Sequence, residues 1–270
     1  MKEHELILTS LLNCRRIDLY TKDASLTLSQ REKLKHILRK RKTGYPLQYL
    51  LGKTEFFGIN FRVKENVFIP RPETELLIEE TIFVLQEERF AKNNLSLLEI
   101  GTGSGNIAVT LAKLANNLRI VSMDINKDAI DLACENALLN RVSDKICFLH
   151  QDLFTIKDIG LKFDIILSNP PYIKTKDLKD LPKEVGFEPV NSLDAGPDGL
   201  IFYKEILKLS KKILVNNGMI IFEIGFNQLK DIKVLILKVG GLELVKSVKD
   251  YNGFDRIVVI KHTKDRKSNG

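Results

Sequence analysis

The stretch Asn169-Pro170-Pro171-Tyr172 follows the apolar run FDIILS, at the point where a buried strand is predicted to end. Each proline lacks a backbone N–H and has φ fixed at about −65°, so the strand must stop there. The resulting turn is rigid and presents a carboxamide and a phenol ring at the edge of a sheet. Ligands bind at this edge in open α/β sheets. A plain strand terminus is the simpler interpretation, and a ligand-binding turn is the more specific one.

A second chemical motif is a glycine-rich loop between the strand LSLLEI and a helix; its members are Gly101, Thr102, Gly103, Ser104 and Gly105. Glycines let the backbone turn sharply and approach a ligand, while a helix N-terminus offers free N–H groups to an anion. The Gly-Lys-Ser/Thr of a P-loop is absent, and Asn106 stands where the dinucleotide fingerprint GxGxxG needs glycine. The pattern GxGxG instead resembles the cofactor loop of S-adenosylmethionine-dependent methyltransferases.

Two aspartates follow the next two predicted strands. Asp124 lies 19 residues after Gly105, where a carboxylate can accept hydrogen bonds from both ribose hydroxyls. NAD enzymes carry an acid at the same place, so Asp124 indicates a ribosyl cofactor without distinguishing which one. A helix N-cap is the alternative role, and Asn126 can also fill it. Asp152, after KICFLH, is a candidate for binding the adenine amino group or a simple turn residue.

The position of the Asn169 turn suggests its chemistry. In a doubly wound sheet the fourth strand lies beside the first, which places Asn169 next to the glycine loop. The lone pair of a planar NH2 group is delocalised, so such a nitrogen must be oriented before it attacks a methyl group. The Asn169 side chain and the Pro170 carbonyl can accept its N–H bonds, and Tyr172 can stack on it and exclude water. A sulfonium donor is already activated, so positioning matters more than a strong base or a metal.

The elements that must position these motifs alternate between strands and helices. Four apolar runs, with helices starting near Ser104 and Asn126, predict a parallel sheet with crossover helices: LSLLEI, RIVSMDI, KICFLH and FDIILS. A helix near residues 200–215 leads to the strand GMIIFEIG. The dipeptide Asn252-Gly253 then predicts an antiparallel hairpin. The predicted fold class is α/β, a Rossmann-like methyltransferase sheet with a C-terminal antiparallel hairpin.

The N-terminal part of the chain has a different character. Helices are predicted over residues 4–13 and 29–43, the second capped by Ser29 with Glu32 completing a capping box. A hairpin around Gly58 follows, and Pro72 is expected in the first turn of a helix that runs to Gln86. The predicted organisation is a small helical domain (1–45), a linking β-hairpin (46–71), the α/β domain (72–260) and a disordered basic tail (261–270).

Composition narrows the class of protein. The chain has 270 residues, 44% hydrophobic and 29% charged, which fits a globular protein of one large domain or one large and one small. Residues 1–45 hold 11 Lys and Arg against 5 Asp and Glu, and residues 261–270 hold 4 against 1, so the net charge of +7 leaves −2 for the remainder. A basic end suggests an acidic partner, although a solvated helix face is the common explanation.

Several classes of protein are not expected. No apolar run approaches the roughly 18 residues that span a bilayer, and the N-terminus is acidic where a signal peptide is basic, so a cytoplasmic location is predicted. Cys14, Cys134 and Cys147 lie far apart without a CxxC pair, and the four histidines are scattered. The sequence therefore predicts neither a disulfide framework nor a metal site.

Taken together, the motifs resemble the peptide chain release factor N5-glutamine methyltransferases, the HemK/PrmC family, from about residue 45 to residue 260. The resemblance rests on PLQYLLGKTEFFG, FIPRPETE, EIGTGSGNIA, DINKDAI, SNPPYI, FEP, AGPDGL and KDYNGFDR. NPPY is shared with DNA adenine and several ribosomal methyltransferases, whereas FIPRPETE with AGPDGL is more discriminating. The family transfers a methyl group from S-adenosylmethionine, leaving S-adenosylhomocysteine, to the glutamine side-chain nitrogen in the Gly-Gly-Gln loop of class I release factors.

The resemblance also implies residue roles. The glutamine is assigned to Asn169, Pro170, Pro171 and Tyr172, and the cofactor to Gly101, Thr102, Gly103, Ser104, Gly105, Asp124, Asp152, Leu153 and Asn169. Leu153 stands where relatives often carry an aromatic ring, so stacking on adenine is lost or passes to Phe154. The segment Phe68 to Glu75 is expected to line the pocket. The N-terminal domain is expected to grip the release factor, with the basic helix that contains Arg31, Lys35, Arg39 and Lys42 meeting an acidic surface.

Two other functions use parts of the same pattern. A nucleic acid methyltransferase would modify an exocyclic amine, with Tyr172 stacking on a flipped base. Residues 46–260 sum to about −2, without the basic face of a duplex-binding enzyme, so no stable nucleic acid complex is expected. A non-catalytic nucleotide-binding scaffold is the third candidate, but it has no use for an NH2-orienting turn beside the cofactor loop.

Overall fold

The computed structural model describes residues 2–21, 25–90, 94–156 and 160–263. Its helices are α1 (Glu3–Leu12), α2 (Asp18–Thr21), α3 (Leu28–Lys42), α4 (Leu47–Leu51), α5 (Glu75–Leu85), α6 (Asn106–Leu114), α7 (Lys127–Leu139), α8 (Ile201–Ile213) and α9 (Leu229–Val239). Its strands are β1 (Lys53–Phe56), β2 (Ile59–Arg62), β3 (Leu95–Ile100), β4 (Leu118–Asp124), β5 (Ile146–His150), β6 (Phe163–Ser168), β7 (Leu214–Glu223), β8 (Leu242–Lys249) and β9 (Asp255–His262).

Seven strands form one sheet in the order β5-β4-β3-β6-β7-β9-β8. The first five run parallel, and β9 pairs antiparallel with both β7 and β8. The sheet order therefore reverses at β3, whose neighbours are β4 and β6. The predicted fold class is confirmed, including the hairpin that closes the sheet. At such a reversal, the connections from the two adjacent strands leave toward opposite faces of the sheet. A crevice therefore opens outside the carboxyl ends of those two strands.

Alternate residues of the central strands point to opposite faces of the sheet, and each face has its own core. Leu97, Ile165 and Ile221 pack in the cluster that includes residues of α5, α6 and α7. Leu98, Ile166 and Ile220 pack in the cluster that includes residues of α8 and α9. Strand β6 is buried at every residue, as its continuous apolar sequence predicts for a strand covered on both faces.

The N-terminal helices bury a small apolar cluster of their own, made by Ile7, Ile37 and Leu47. Leu47 belongs to α4, which lies inside the segment predicted as the linking hairpin and precedes that hairpin. The hairpin itself is present as β1 and β2, with Phe57 and Gly58 both at positive φ in its two-residue turn. Two positive φ values in such a turn match the right-handed twist of the paired strands.

The predicted N-cap of α3, Ser29, is wrong by two residues. Thr27 is the N-cap residue, and its hydroxyl accepts a hydrogen bond from the backbone N–H of Gln30 over 3.3 Å. The Gln30 side chain accepts from the backbone N–H of Thr27 over 2.9 Å, which completes the capping box. Ser29 and Glu32 lie inside the helix instead. The Gln30 amide also donates to the Leu11 carbonyl over 2.8 Å, so the contact with α1 selects this cap.

The C-terminal end differs from its prediction in two respects. Lys261 and His262, assigned to a disordered tail, belong to β9 and pair with β7 and β8. Residues 264–270 of that predicted tail lie outside the described residues. Helix α9 was not predicted, and it connects β7 to the final hairpin.

Within the described ranges, no helix combines the length and the apolar character that crossing a membrane requires.

Candidate active site

A cavity of about 400 Å³ opens at the carboxyl ends of β3, β4 and β6, where the sheet order reverses. It brings together residues that the sequence scatters over 72 positions. The predicted site residues on its wall are Gly101, Thr102, Gly103, Asp124, Asp152, Leu153, Asn169, Pro170, Pro171 and Tyr172. Ser104 and Gly105 do not line it. The cavity therefore joins the proposed cofactor loop and the proposed substrate turn in one space.

The glycine loop owes its shape to backbone conformations that disfavour side chains. Gly103 has φ +53°, and the space where its Cβ would lie is open, so a ligand can approach the backbone there. Gly105 has φ +78°, and its Cβ would lie 2.9 Å from the Cβ of Ala133 in α7. Gly105 therefore serves the packing of two helices. Gly103 shapes the cavity wall.

Ser104 belongs to the loop but does not line the cavity. Its carbonyl accepts a hydrogen bond from the Asn136 side chain over 2.8 Å, and its hydroxyl bonds to Asn106 over 3.3 Å. Asn136 also accepts from the backbone N–H of Arg62 over 2.7 Å, which ties β2 to α7 and to the loop. Ser104 and Gly105 thus hold the loop in place through contacts away from the cavity. Their direct contact with a cofactor stays a prediction.

Asp124 faces the loop rather than the helix that follows it. One carboxylate oxygen accepts from the backbone N–H of Gly103 and the other from that of Asn126, each over 2.9 Å. The cap of α7 is Asn126, whose side chain accepts from the N–H of Asp128. Burial raises the pKa of Asp124, and its backbone hydrogen bonds oppose that rise. The alternative role as a helix cap therefore belongs to Asn126.

A buried acid that the sequence reasoning missed lies under the same loop. Glu99, near the end of β3, accepts hydrogen bonds from the hydroxyls of Thr102 and Ser122. Burial raises its pKa to about 8, so it holds its proton at neutral pH. Its signal in the sequence is an acidic residue inside the apolar strand LSLLEI, next to the glycines. Glu99 thereby connects the loop to β4 without carrying a charge into the core.

The adenine candidates follow β5, which is separated in the sheet from β6 and the turn at residue 169 by β4 and β3. Asp152 accepts a hydrogen bond from the backbone N–H of Phe154 over 2.9 Å, so it acts as a turn residue as well as lining the cavity. Leu153 is buried against the wall. Phe154 lines the cavity too, and its ring meets that of Phe202 edge to face at 5.3 Å. Phe202 was not predicted at the site.

Residues 169–172, called the NPPY turn below, are anchored at both ends. The Ser168 hydroxyl donates to the Ile100 carbonyl over 2.7 Å, which holds the end of β6 beside the end of β3. The Tyr172 carbonyl accepts from the Gln228 side chain over 3.1 Å. That same Gln228 amide donates to the Gly199 carbonyl over 2.8 Å, so the AGPDGL segment packs on the turn. Burial raises the pKa of Tyr172 to about 12, so its ring stays neutral.

The side-chain amide of Asn169 has a defined partner. Its nitrogen donates to the hydroxyl of Thr74 over 3.0 Å, and that hydroxyl donates to the carboxylate of Glu223 over 2.7 Å. Both Thr74 and Glu223 are buried. Glu223 was not predicted at the site, although an acidic residue near the end of the apolar strand GMIIFEIG is a usable signal. The amide oxygen of Asn169 is therefore left to accept from a ligand.

The segment predicted to line the pocket does so in part. Phe68, Pro70, Arg71 and Thr74 face the cavity, while Glu75 accepts from the backbone N–H of Phe57 over 2.7 Å. The Arg71 guanidinium lies 4.8 Å from the centre of the Phe68 ring. Arg71 also pairs with the buried carboxylate of Glu188, in the FEP segment. An ion pair thus ties this wall to the FEP segment, whose Pro189 also lines the cavity.

The N-terminal helices reach the rim of the cavity. Arg41 pairs with Glu3 over 2.8 Å and with Glu184 over 3.0 Å, and Glu184 adjoins Val185 on the cavity wall. The Tyr45 and Phe187 rings meet edge to face at 5.0 Å. These contacts place α3 beside the entrance to the site.

Comparisons with known proteins show the family of this chain. The family model for the methyltransferase small domain matches residues 74–187, and the model for the PrmC N-terminal domain matches residues 2–52. A release factor glutamine methyltransferase of Thermodesulfovibrio yellowstonii is 35% identical over 98% of this chain and 93% of its own length. This chain belongs to the release factor glutamine methyltransferases. The resemblance seen in the sequence motifs is confirmed.

Other members of the release factor glutamine methyltransferases give the same result. The protein of Aquifex aeolicus is 40% identical over 82% of this chain and 76% of its own length. That of Fusobacterium nucleatum is 39% identical over 90% of this chain and 67% of its own. This member of the family is a methyltransferase, and the prediction of an enzyme is confirmed.

Solved structures of low sequence identity bear on the fold alone. A methyltransferase from Pyrococcus furiosus superposes with a TM-score of 0.54 at 18% identity, covering 87% of this chain and 98% of that chain. The hMettl16 catalytic domain, solved in complex with an RNA hairpin, gives a TM-score of 0.58 at 17% identity, covering 77% and 76%. The sheet of this release factor glutamine methyltransferase is thus one that methyltransferases share.

Proposed function

We propose that this enzyme transfers a methyl group to the side-chain amide nitrogen, N5, of the glutamine in the Gly-Gly-Gln motif of class I release factors, and so supports translation termination. The observation that carries the proposal is the orientation of Asn169, whose nitrogen is held by Thr74 so that its oxygen can accept. An acceptor at this position selects a substrate that offers an N–H. We place the reaction in the cytoplasm, where translation terminates.

The residues around the glycine loop fit S-adenosylmethionine as the methyl donor. Gly101 and Gly103 have open space where side chains would stand, and Asp124 offers a carboxylate at the same wall. We assign the ribose to Asp124 and the adenine to the wall formed by Asp152, Leu153 and Phe154. When bound, S-adenosylmethionine supplies a methyl group on a positively charged sulfur, which needs no further activation.

The protein's own contribution is to orient the glutamine nitrogen. The Asn169 side-chain oxygen and the Pro170 carbonyl accept its two N–H bonds, which aims the lone pair and polarises the nitrogen. Tyr172 stays neutral at physiological pH and covers the flat amide, so water is excluded. Preorganised acceptors of this kind replace the strong base that a less reactive methyl donor would require.

The N-terminal helices are proposed to dock the release factor. Arg31, Lys35, Arg39 and Lys42 are exposed on α3, and Arg41 on the same helix ties α3 to the cavity rim through Glu184. An acidic surface of the release factor that meets these side chains would lie close to the entrance of the site. The family model that matches residues 2–52 supports treating these helices as one recognition domain.

Mass spectrometry of the Gly-Gly-Gln tryptic peptide, after incubation of a class I release factor with this enzyme and S-adenosylmethionine, tests the proposal. We expect a single added methyl group on the glutamine, and none when that glutamine is replaced by alanine. Parallel reactions with DNA and with ribosomal RNA use a labelled methyl donor. Transfer to a nucleic acid but not to the release factor would overturn the proposed function.

A further inference from the structure

Three side chains from distant parts of the chain form a hydrogen-bonded series that begins at the cavity wall and ends at a buried carboxylate. The Asn169 amide donates to the Thr74 hydroxyl over 3.0 Å, and the Thr74 hydroxyl donates to Glu223 over 2.7 Å. Asn169 lines the cavity together with Thr74, whereas Glu223 does not. Thr74 is 1% exposed and Glu223 is 1% exposed, so water does not compete for these bonds.

The direction of the series follows from the chemistry of its members. A hydroxyl has one proton and a carboxylate has none, so the Thr74 proton must point to Glu223. The Thr74 oxygen can then only accept, and the group of Asn169 that faces it must be the NH2. An amide turned by 180° would place its oxygen against the oxygen of Thr74 with no proton between them. The carboxylate thus fixes which end of Asn169 enters the cavity.

We propose that Thr74 and Glu223 are positioning residues that hold the Asn169 carboxamide with its oxygen toward the substrate nitrogen. This inference rests on the proposed function, because it explains how the site distinguishes an NH2 group from an oxygen of similar size. Without the series, the Asn169 amide is free to turn. Its NH2 would then meet the substrate NH2, and neither could accept.

The protonation state of the Glu223 side chain depends on its surroundings, which include both positively and negatively charged groups. The groups whose charges act on it are Arg256, Glu73 and Arg71, and the neutral phenols of Tyr172 and Tyr203 also lie near it. Burial raises the pKa of Glu223 to about 7, while the hydrogen bond from Thr74 and the charge of Arg256 lower it. A protonated Glu223 can donate a hydrogen bond to the Thr74 oxygen. The Thr74 hydroxyl is then free to donate to the Asn169 oxygen, and in that orientation the Asn169 NH2 faces the substrate. Activity should therefore fall as the pH drops below about 7.

The test uses the full-length enzyme and measures methyl transfer to the release factor together with binding of S-adenosylmethionine. Thr74→Val keeps the shape of the side chain and removes the hydroxyl, and we expect kcat to fall at least about tenfold with cofactor affinity within about threefold. Thr74→Ser restores the hydroxyl, and kcat should return to within about threefold of wild type. Thr81→Val is the matched control, because Thr81 in α5 is likewise buried and its hydroxyl donates to the Leu77 carbonyl of its own helix.

One further measurement separates positioning from general structural support. Glu223→Gln, which cannot ionise, should remove the fall in kcat below about pH 7. Equal kcat for wild type and Thr74→Val, or an unchanged pH profile in Glu223→Gln, would overturn the inference.

The same assay distinguishes failure of the inference from failure of the proposed function. If wild-type enzyme transfers no methyl group to the release factor, the proposed function fails, whatever the variants do. If wild type transfers it and Thr74→Val transfers it equally well, the function stands and only the positioning role is lost.

Discussion

The carboxylate of Asp124 accepts a hydrogen bond from the backbone N–H of Gly103 over 2.9 Å, across 21 residues of chain. The acid therefore holds the glycine loop and faces the same cavity as that loop. Two features that the sequence presents separately act as one unit, the wall against which a ribosyl cofactor is proposed to bind.

Replacing Asp124 should weaken cofactor binding more than it affects the chemistry. We expect Asp124→Ala to raise the Kd for S-adenosylmethionine by about tenfold to a hundredfold, since it removes the proposed ribose acceptor and the hydrogen bond that holds the loop. Isothermal titration calorimetry measures this directly. Asp128→Ala, at an exposed position in the first turn of α7, is the control and should bind as wild type does. An equal Kd for Asp124→Ala would mean that the ribose is held elsewhere.

Replacing Asn169 should have the opposite profile. We expect Asn169→Ala to abolish measurable turnover while the Kd for S-adenosylmethionine stays within about tenfold, because the lost group is the one proposed to contact the methylated nitrogen. Steady-state transfer to the release factor and calorimetry on the same preparation separate the two effects. Asn116→Ala, at an exposed asparagine that does not line the cavity, controls for the substitution itself. Undiminished turnover in Asn169→Ala would remove the assigned role.

Glu99 should make stability depend on pH. Burial raises its pKa from 4.5 to about 8, so between these values the folded protein keeps a proton that the unfolded chain releases. Its contribution is fully present below pH 4.5 and is lost as the pH rises to about 8. The free energy of unfolding should thus fall by up to about 1.4 kcal/mol per pH unit from this group.

Glu99→Gln cannot exchange that proton. Urea unfolding of both proteins at several pH values between about 5 and 8 should show a shallower fall in the free energy of unfolding for the variant. Glu79→Gln, on the exposed face of α5, is measured alongside as the control. Parallel curves for wild type and Glu99→Gln would contradict the raised pKa of Glu99.

The contact between Gly105 and α7 can be separated from the cost of its backbone conformation. Gly105→Ala places a Cβ within 2.9 Å of Ala133 at φ +78°, and Gly58→Ala imposes a similar φ of +69° with nothing nearby. We expect Gly58→Ala to cost about 1 kcal/mol of stability and Gly105→Ala about 2 kcal/mol more, because a packed helix contact must yield. Urea denaturation gives both values, and equal losses would assign the whole effect to φ.

Much of the site was predictable because its signals are local. A strand followed by glycines, an acid at the end of the next strand, and a proline-rich stop after the fourth each reflect short-range backbone chemistry. Helix α9 was also within reach, since Ile232, Leu235 and Ile236 recur at helical spacing and are buried. The cap of α3 was less accessible, because Thr27 and Ser29 are both good caps and the contact between Gln30 and α1 decided between them.

The amino-acid sequence by itself determined the parallel sheet, the closing hairpin, the glycine loop and the NPPY turn, because alternating apolar runs and turn residues act over a few positions. Only the tertiary structure decided that Thr74 stands 3.0 Å from Asn169, 95 residues away, and 2.7 Å from Glu223, 149 residues away. Which end of the Asn169 amide faces the cavity depends on those two contacts. Hydrogen-bond direction is a property of partners brought together by packing, and no local pattern specifies it.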